Sequence, residues 1–204
     1  MPMNILITGG CGYVGTILTK TLLDIGHNVH VYDIMWFGNF LQEHPELTVT
    51  QGDIREIEKV PTAGMDVVIH LANVANDPCS DLNSKLNWEV NVLATKLLVE
   101  KAIDRGVAQF IYASSGSVYG YKEEPQVTEE LSLVPLSDYN KTKMIAERVI
   151  LSFNSPTFKT HIIRPATVCG YSPRMRLDVS VNMLTFQALK FKKITLFGGT
   201  QIRP

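Results

Sequence analysis

The stretch MNILITGGCGYVG, residues 3–15, joins a short apolar run to a turn with glycine at every third position, and an apolar-periodic segment from Gly12 to Ile25 follows it. That order is strand, tight turn, helix. Glycine at positions 9, 12 and 15 permits a tight turn, close approach of the backbone to a pyrophosphate, and close packing of helix on strand. The helix start adds free N–H donors and a partial positive charge. Gly9, Gly12, Tyr13, Val14 and Gly15 are therefore read as cofactor-binding positions. Asp33 ends the next apolar run, HNVHVYD, where a carboxylate can accept both hydroxyls of an adenosine ribose and repel a 2′-phosphate. No Lys or Arg lies between Ile34 and Thr50 to pair with such a phosphate, so NAD is expected over NADP.

The same alternation continues along the chain. LTVTQGD, MDVVIHLA, AQFIYASS and KTHIIRP read as the third to sixth strands, with Val67, Val68 and Ile69 uninterrupted as in a strand buried on both faces. Helices are expected from about Leu82 to Arg105 and from Ser137 onward. Strands alternating with helices predict an α/β fold, a doubly wound parallel sheet with helices on both faces. After Pro165 the pattern loosens: ATVCGYSPRMRLD reads as loop, VSVNMLTFQALKF as helix and KITLF as a short strand. Residues 1–165 are thus expected to form the cofactor domain. Residues 166–204 read as the beginning of a substrate region, interrupted at GGTQIRP.

Composition narrows the partners. Lys and Arg number 19 against 20 Asp and Glu, which supplies no basic face for nucleic acid or an anionic membrane. No apolar run approaches the ~18 residues that span a bilayer. The 3 cysteines lack paired or metal-type spacing and the 5 histidines form no cluster, so a metal-free cytoplasmic protein is expected.

Two segments carry candidate chemistry. YASSGSVYG places Ser114, Ser115 and Ser117 at the carboxyl end of the fifth strand, where ligands lie in such sheets. SDYNKTKMIAE sets Tyr139 one helical turn before Lys143, on the same face. Alone, that pair is an ordinary helix surface. Following the serine-tipped strand, both sets can converge on one cleft.

Taken in order, Gly9-x-x-Gly12-x-x-Gly15, Asp33, HLA at 70–72, NVLAT at 91–95, SSGSVYG at 114–120 and YNKTK at 139–143 resemble the extended short-chain dehydrogenase/reductase family. The likeness is strongest to its nucleotide-sugar epimerases and dehydratases and covers essentially the whole chain. It implies a Rossmann-type sheet, NAD as cofactor, a nucleotide-diphosphate sugar substrate, and a homodimer pairing the 82–105 and 138–153 helices. By position it makes Tyr139 the catalytic acid/base, Lys143 its partner and holder of the nicotinamide ribose, and Ser115 the hydroxyl that bonds the reacting group. Leu71, Ala72, Ala113 and Pro165 fall at cofactor positions. Ser117, Thr167, Asn182 and Arg203 fall at substrate positions. Asp53 can accept from the adenine amino group, with Ile54 on the ring, or can cap a helix. Asn91 can orient backbone around the cofactor or bridge helix to sheet.

The implied cycle passes a hydroxyl proton to Tyr139 while hydride moves from the sugar carbon to NAD, and hydride return decides the product. A tyrosine working near neutrality needs roughly three pK units, about 4 kcal/mol. An ammonium ~5 Å away contributes about 3 kcal/mol at an effective dielectric of 20, so Lys143 with a cationic nicotinamide suffices. Four positions depart from the pattern. Dehydratases carry an acidic pair where this chain has Gly116 and Ser117, which argues against dehydration. Many 4-epimerases carry lysine near Ala75, and Thr167 replaces a common asparagine. The missing lysine weighs against transferring one particular epimerase's activity but not against the redox step. The resemblance implies a 4-epimerase-like reaction, with a keto-sugar reductase or a noncatalytic NAD-binding protein as alternatives. Cys11 is read as a space-filler, His70 as a core histidine, and Trp36 and Phe37 as cover for either the adenine or a core edge.

Overall fold

In the computed structural model, which describes residues 1–196 and 198, six parallel strands form one sheet in the order β3-β2-β1-β4-β5-β6. The strands are β1 (Asn4–Thr8), β2 (Asn28–Asp33), β3 (Leu47–Gln51), β4 (Val67–His70), β5 (Gln109–Ala113) and β6 (Lys159–Ile163). Chain order reverses between β1 and β4, and the cleft beyond their carboxyl ends is the expected ligand position. β1 runs beside β2 with Ile5 opposite Val29 and Ile7 opposite Val31, and beside β4 with Ile7 opposite Ile69.

Alternation along β1 builds a core on each face. Ile5 and Ile7 join Val29, Val31, Val67 and Ile69 in one apolar cluster, with Leu23 from α1 (Tyr13–Asp24). Leu6 faces the other way, with Val68, Phe110 and Tyr112. There it meets Leu98 of α4 (Thr95–Asp104) and Ile150 of α5 (Asp138–Ser152). The sixth strand alternates between exposed and partly buried positions, so the sheet is driest at its centre.

The helix expected over 82–105 is broken. Asn76 and Asn83 each accept a hydrogen bond from the backbone N–H three residues on, starting α2 (Asp77–Leu82) and α3 (Ser84–Trp88) separately. A π-helical turn, Glu89–Ala94, then leads into α4. The wider turn carries Asn91 inward, and such turns recur at functional sites. Ser137 caps α5 as expected, accepting from the Asn140 N–H at 3.2 Å. The last helix is α6 (Ser180–Phe191), ended by Lys192 in a left-handed conformation. The short strand expected at 193–197 is absent over its described residues 193–196, because no neighbouring strand offers them a ladder.

The glycine turn is held by close backbone contact. A Cβ on Gly9, at φ +77°, would stand 2.5 Å from the Ala72 backbone nitrogen, and one on Gly15 would stand 2.6 Å from Gly10 Cα. Gly26 has φ +87° but nothing within 4 Å of its missing Cβ. Gly9→Ala should therefore cost more than about 2 kcal/mol in urea unfolding, and Gly26→Ala only about 1 kcal/mol.

Candidate active site

One cleft of about 800 Å³ runs along the carboxyl ends of the strands, with Asp33 and Ile54 toward one end and Ser115, Tyr139 and Lys143 toward the other. Of the expected cofactor positions, Gly9, Gly12, Tyr13, Val14, Gly15, Asp33, Asp53, Ile54, Leu71, Ala72, Ala113 and Pro165 all line it. α1 starts at Gly12 with no side-chain cap, which leaves its first N–H donors to an anion. Asp33 is pinned by the Cys11 N–H on one oxygen (2.9 Å) and the Met35 N–H on the other (2.7 Å). Each oxygen keeps a second acceptor site for a ribose hydroxyl. These observations fit an adenine dinucleotide: a cradle that a Cβ would fill, an uncapped helix start, and a fixed carboxylate beyond it.

Two expected cofactor contacts take another form. The Asp53 carboxylate binds the Arg55 guanidinium at 2.6 Å and accepts from the Arg55 N–H at 2.9 Å, the latter as a turn cap. That pairing holds the carboxyl below its usual range, with the hydrogen bonds from Arg55 outweighing partial burial. Asn91 is fully buried, and its amide grips Val74 from both sides, accepting from its N–H at 2.8 Å and donating to its carbonyl at 3.1 Å. It shapes the cleft wall through backbone.

At the other end, Lys143 donates to the Ala113 carbonyl at 2.7 Å and lies 5.8 Å from the centre of the Tyr139 ring. The Ser115 hydroxyl acts on the Tyr139 phenol and favours its ionised form. Ser115 Oγ meets Ser117 Oγ at 2.7 Å, and Ser117 donates to Asn140 Oδ1 at 2.5 Å. Ser117 itself is exposed behind this chain of hydroxyls rather than in the cleft wall.

Lys143 is expected to lower Tyr139 only together with a cationic nicotinamide, and the protein's own groups leave the phenol high. Burial pushes the phenol up to about 12, against a downward pull from the positive Arg176 and the bond from Ser115. Lys143 is itself brought down to about 7 by burial, which the Glu147 carboxylate partly offsets. Two buried groups each resist charge, so proximity alone does not ionise the tyrosine. His70 is sealed between Thr8 Oγ1 (2.6 Å) and Thr95 Oγ1 (2.9 Å), and burial lowers it to about 3, so it is a neutral core residue. Burial raises the Cys11 thiol to about 12, which leaves it a filler.

Among the expected substrate positions, Thr167 lines the cleft. Asn182 does not: its amide is used within the chain, accepting from Gly170 N–H (2.9 Å) and donating to Tyr13 Oη (3.0 Å) and the Arg176 carbonyl (2.9 Å). It anchors a loop that the sequence reading passed over. Residues 170–178 are bolted to the start of α1, with Tyr13 Oη donating to the Gly170 carbonyl at 2.7 Å and Ser172 Oγ to the Tyr13 carbonyl at 2.8 Å. Further on, Arg176 pairs with Asp178 at 2.5 Å, and Asn76 Nδ2 donates to Asp178 at 2.9 Å. Arg174, Arg176 and Asp178 all face the cleft, and their sequence signal was two arginines and an acid within one proline-containing loop. Arg203 lies outside the described residues.

The parallel sheet, the glycine turn and the fixed acid at the end of β2 define a dinucleotide-binding α/β protein. The chain belongs to the NAD dependent epimerase/dehydratase family, whose sequence profile matches residues 5–204. NAD is the cofactor of this family. The chain is 34% identical over 179 residues to a 3 beta-hydroxysteroid dehydrogenase/Delta 5-->4-isomerase of Mycobacterium tuberculosis, covering 82% of this chain and 47% of that protein. It is 32% identical over 216 residues to YtcB of Bacillus subtilis, described as an uncharacterized UDP-glucose epimerase, covering 98% of this chain and 66% of YtcB. MoeE5, solved in complex with UDP-glucose and NAD, superposes with a TM-score of 0.80 at 30% identity over 98% of this chain and 66% of its own. The chain therefore spans about half to two-thirds of these relatives' length. Among the described residues, no helix is long and apolar enough to cross a membrane, and no group of three or more His, Cys, Asp or Glu could hold a metal ion.

The depressed Lys143 gives a linkage prediction. Its folded value near 7 lies below the ordinary lysine value of 10.5, so between those limits the unfolded chain binds more protons and stability rises with pH. The difference in unfolding free energy between the wild type and Lys143→Met should shift toward the wild type from pH 6.5 to pH 9.5. A flat difference would show that the lysine is not desolvated.

Proposed function

We propose that this protein is an NAD-dependent nucleotide-sugar epimerase, 4-epimerase-like, in which Tyr139 exchanges a proton with a sugar hydroxyl. The observation that carries this reading is the convergence of Tyr139, Ser115 and Lys143 on one end of a cleft whose other end holds Asp33. Two relatives aligned over 98% of the chain support the substrate class, a UDP-glucose epimerase and a protein solved with UDP-glucose and NAD. Bound NAD supplies a hydride acceptor, and later a donor, beside the sugar carbon.

The chain's own residues manage the proton and the orientation. Tyr139 Oη takes the hydroxyl proton and returns it, and Ser115 aligns the same hydroxyl. The Arg176 charge favours the phenolate and opposes burial. Lys143, fixed by the Ala113 carbonyl, adds positive charge beside the tyrosine while it holds a proton and reaches the nicotinamide ribose. Neither Gly116 nor Ser117 can protonate a leaving hydroxyl, which weighs against dehydration. Residues 1–165 carry the cofactor in this reading, and 166–204 begin the substrate region, with Thr167 in the cleft wall. The assembly in this reading is a homodimer pairing the helices around α4 and α5, where Trp88, Leu93 and Leu151 are exposed.

Turnover of UDP-glucose and its C4 epimer in the presence of NAD, followed by nuclear magnetic resonance, tests the proposal. Tyr139→Phe should abolish turnover and leave NAD affinity within a few-fold, and Ser115→Ala should slow it about a hundred-fold. Wild-type rates in Tyr139→Phe remove the acid/base assignment. Net consumption of NADH on a keto-sugar nucleotide favours a reductase, and oxidation of a hydroxysteroid with no action on nucleotide sugars overturns the substrate class.

A further inference from the structure

The absence of any cation at 34–50 left the adenosine end with no positive side chain in the sequence reading. The fold brings one from a distant loop. Arg174 lines the cleft, and its guanidinium carbon lies 3.8 Å from the centre of the Phe37 ring. Phe37 follows β2 and Asp33, so the cation stands at the end of the cleft where the adenosine ribose is read. Asp33 and Cys79, at the end of β2 and in α2, both act on its charge. Arg174 and Phe37 thus stand together in the cleft wall on the Asp33 side.

Its neighbour Arg176 is neutralised by Asp178, whereas Arg174 forms no ion pair among the described residues. Burial and the adjacent Arg176 both disfavour its charge. A half-buried guanidinium stacked by one face on an aromatic ring keeps its edge N–H groups for a planar or tetrahedral anion. The loop also fixes where that edge stands. Ser172 is held to the first turn of α1 through Thr16 Oγ1 (2.7 Å) and the Tyr13 carbonyl (2.8 Å). Two residues span at most about 7 Å, so the Arg174 backbone stays beside the uncapped helix start.

We propose that Arg174, stacked on Phe37, binds the pyrophosphate of NAD from the open side of the cleft, facing the N–H donors of α1. This rests on the reading of the cleft as the NAD site. The dinucleotide is then gripped between a helix dipole and a guanidinium from a loop that is remote in sequence. Asp178 and Asn76 tie the far end of that loop across the cleft.

Isothermal titration of the purified chain with NAD, ADP, adenosine and NADP, for the wild type, Arg174→Ala and Arg174→Lys, tests this. In Arg174→Ala the affinity for NAD and for ADP should fall about ten- to a hundred-fold, with adenosine unchanged within two-fold. Arg174→Lys should recover part of the loss, because a point charge replaces a bidentate fork. Equal loss for adenosine and ADP would mean that Arg174 only shapes the adenosine wall, and overturns the proposal. Loss confined to NADP would place the guanidinium on a 2′-phosphate and also overturns it. A wild type that binds NAD no better than the alanine variant refutes the arginine assignment alone, whereas a wild type that binds neither NAD nor ADP refutes the cofactor cleft itself. Matching thermal melts confirm that the variants fold.

Discussion

The end of the cleft that holds Ser115, Tyr139 and Lys143 depends on one buried carboxylate. Glu147 is 1% exposed and lies one turn beyond Lys143 in α5. The Arg164 guanidinium clamps it at 2.7 to 3.2 Å through two nitrogens, and Ser114 donates to the same carboxylate. Arg164 also donates to Tyr119 Oη at 2.8 Å. The knot ties together the end of β5, the turn after it, the end of β6 and the middle of α5. Breaking one partner of a buried pair leaves an uncompensated charge that costs about 3–5 kcal/mol. The elements carrying Ser115, Tyr139 and Lys143 are therefore locked in register by ionic complementarity as well as by apolar packing. The same carboxylate opposes the desolvation of Lys143, so the fold and the charge state of the proposed site share one cause.

The end of the cleft around the glycine turn and Asp33 is organised differently, by backbone. Gly9 packs on Ala72 and Gly15 on Gly10 at distances that leave no room for a side chain. Asp33 is fixed by two N–H groups rather than by a cation. Asn91 plays the matching part on the far wall by gripping Val74. A site made this way presents dipoles already oriented toward a ligand, with little reorganisation left for the moment of binding. The loop at 170–178 adds Arg174, Arg176 and Asp178 to the cleft wall on a backbone tied to the start of α1.

Much of this was legible in the chain. The strands at 4–8, 28–33, 47–51, 67–70, 109–113 and 159–163 fall where the sequence pattern puts them. β4, buried on both faces, is an uninterrupted apolar run up to His70, whereas the edge strands β3 and β6 mix polar with apolar positions. The glycine spacing and Asp33 marked the cleft, and fourteen of the fifteen expected cofactor positions line it, Asn91 being the exception. The helix over 82–105 was legible only as helical, since Asn76 and Asn83 look like ordinary polar positions until their side chains cap separate segments. Asn182 resembled a ligand contact yet supports the 170–178 loop.

Local pattern by itself determined the order of strands and helices, the glycine turn, the acid beyond β2, and the Tyr139–Lys143 spacing on one helix face. Each follows from the geometry of neighbouring residues, which sequence carries directly. Only the tertiary structure decided which groups are desolvated and which charges meet. Tyr139 is raised to about 12 and Lys143 lowered to about 7 because the sheet and α5 close around them. Arg174 reaches Phe37 only because Ser172 is tied to α1, a contact between residues far apart in the chain. Burial and long-range charge depend on the packed whole, and no local stretch of sequence encodes them.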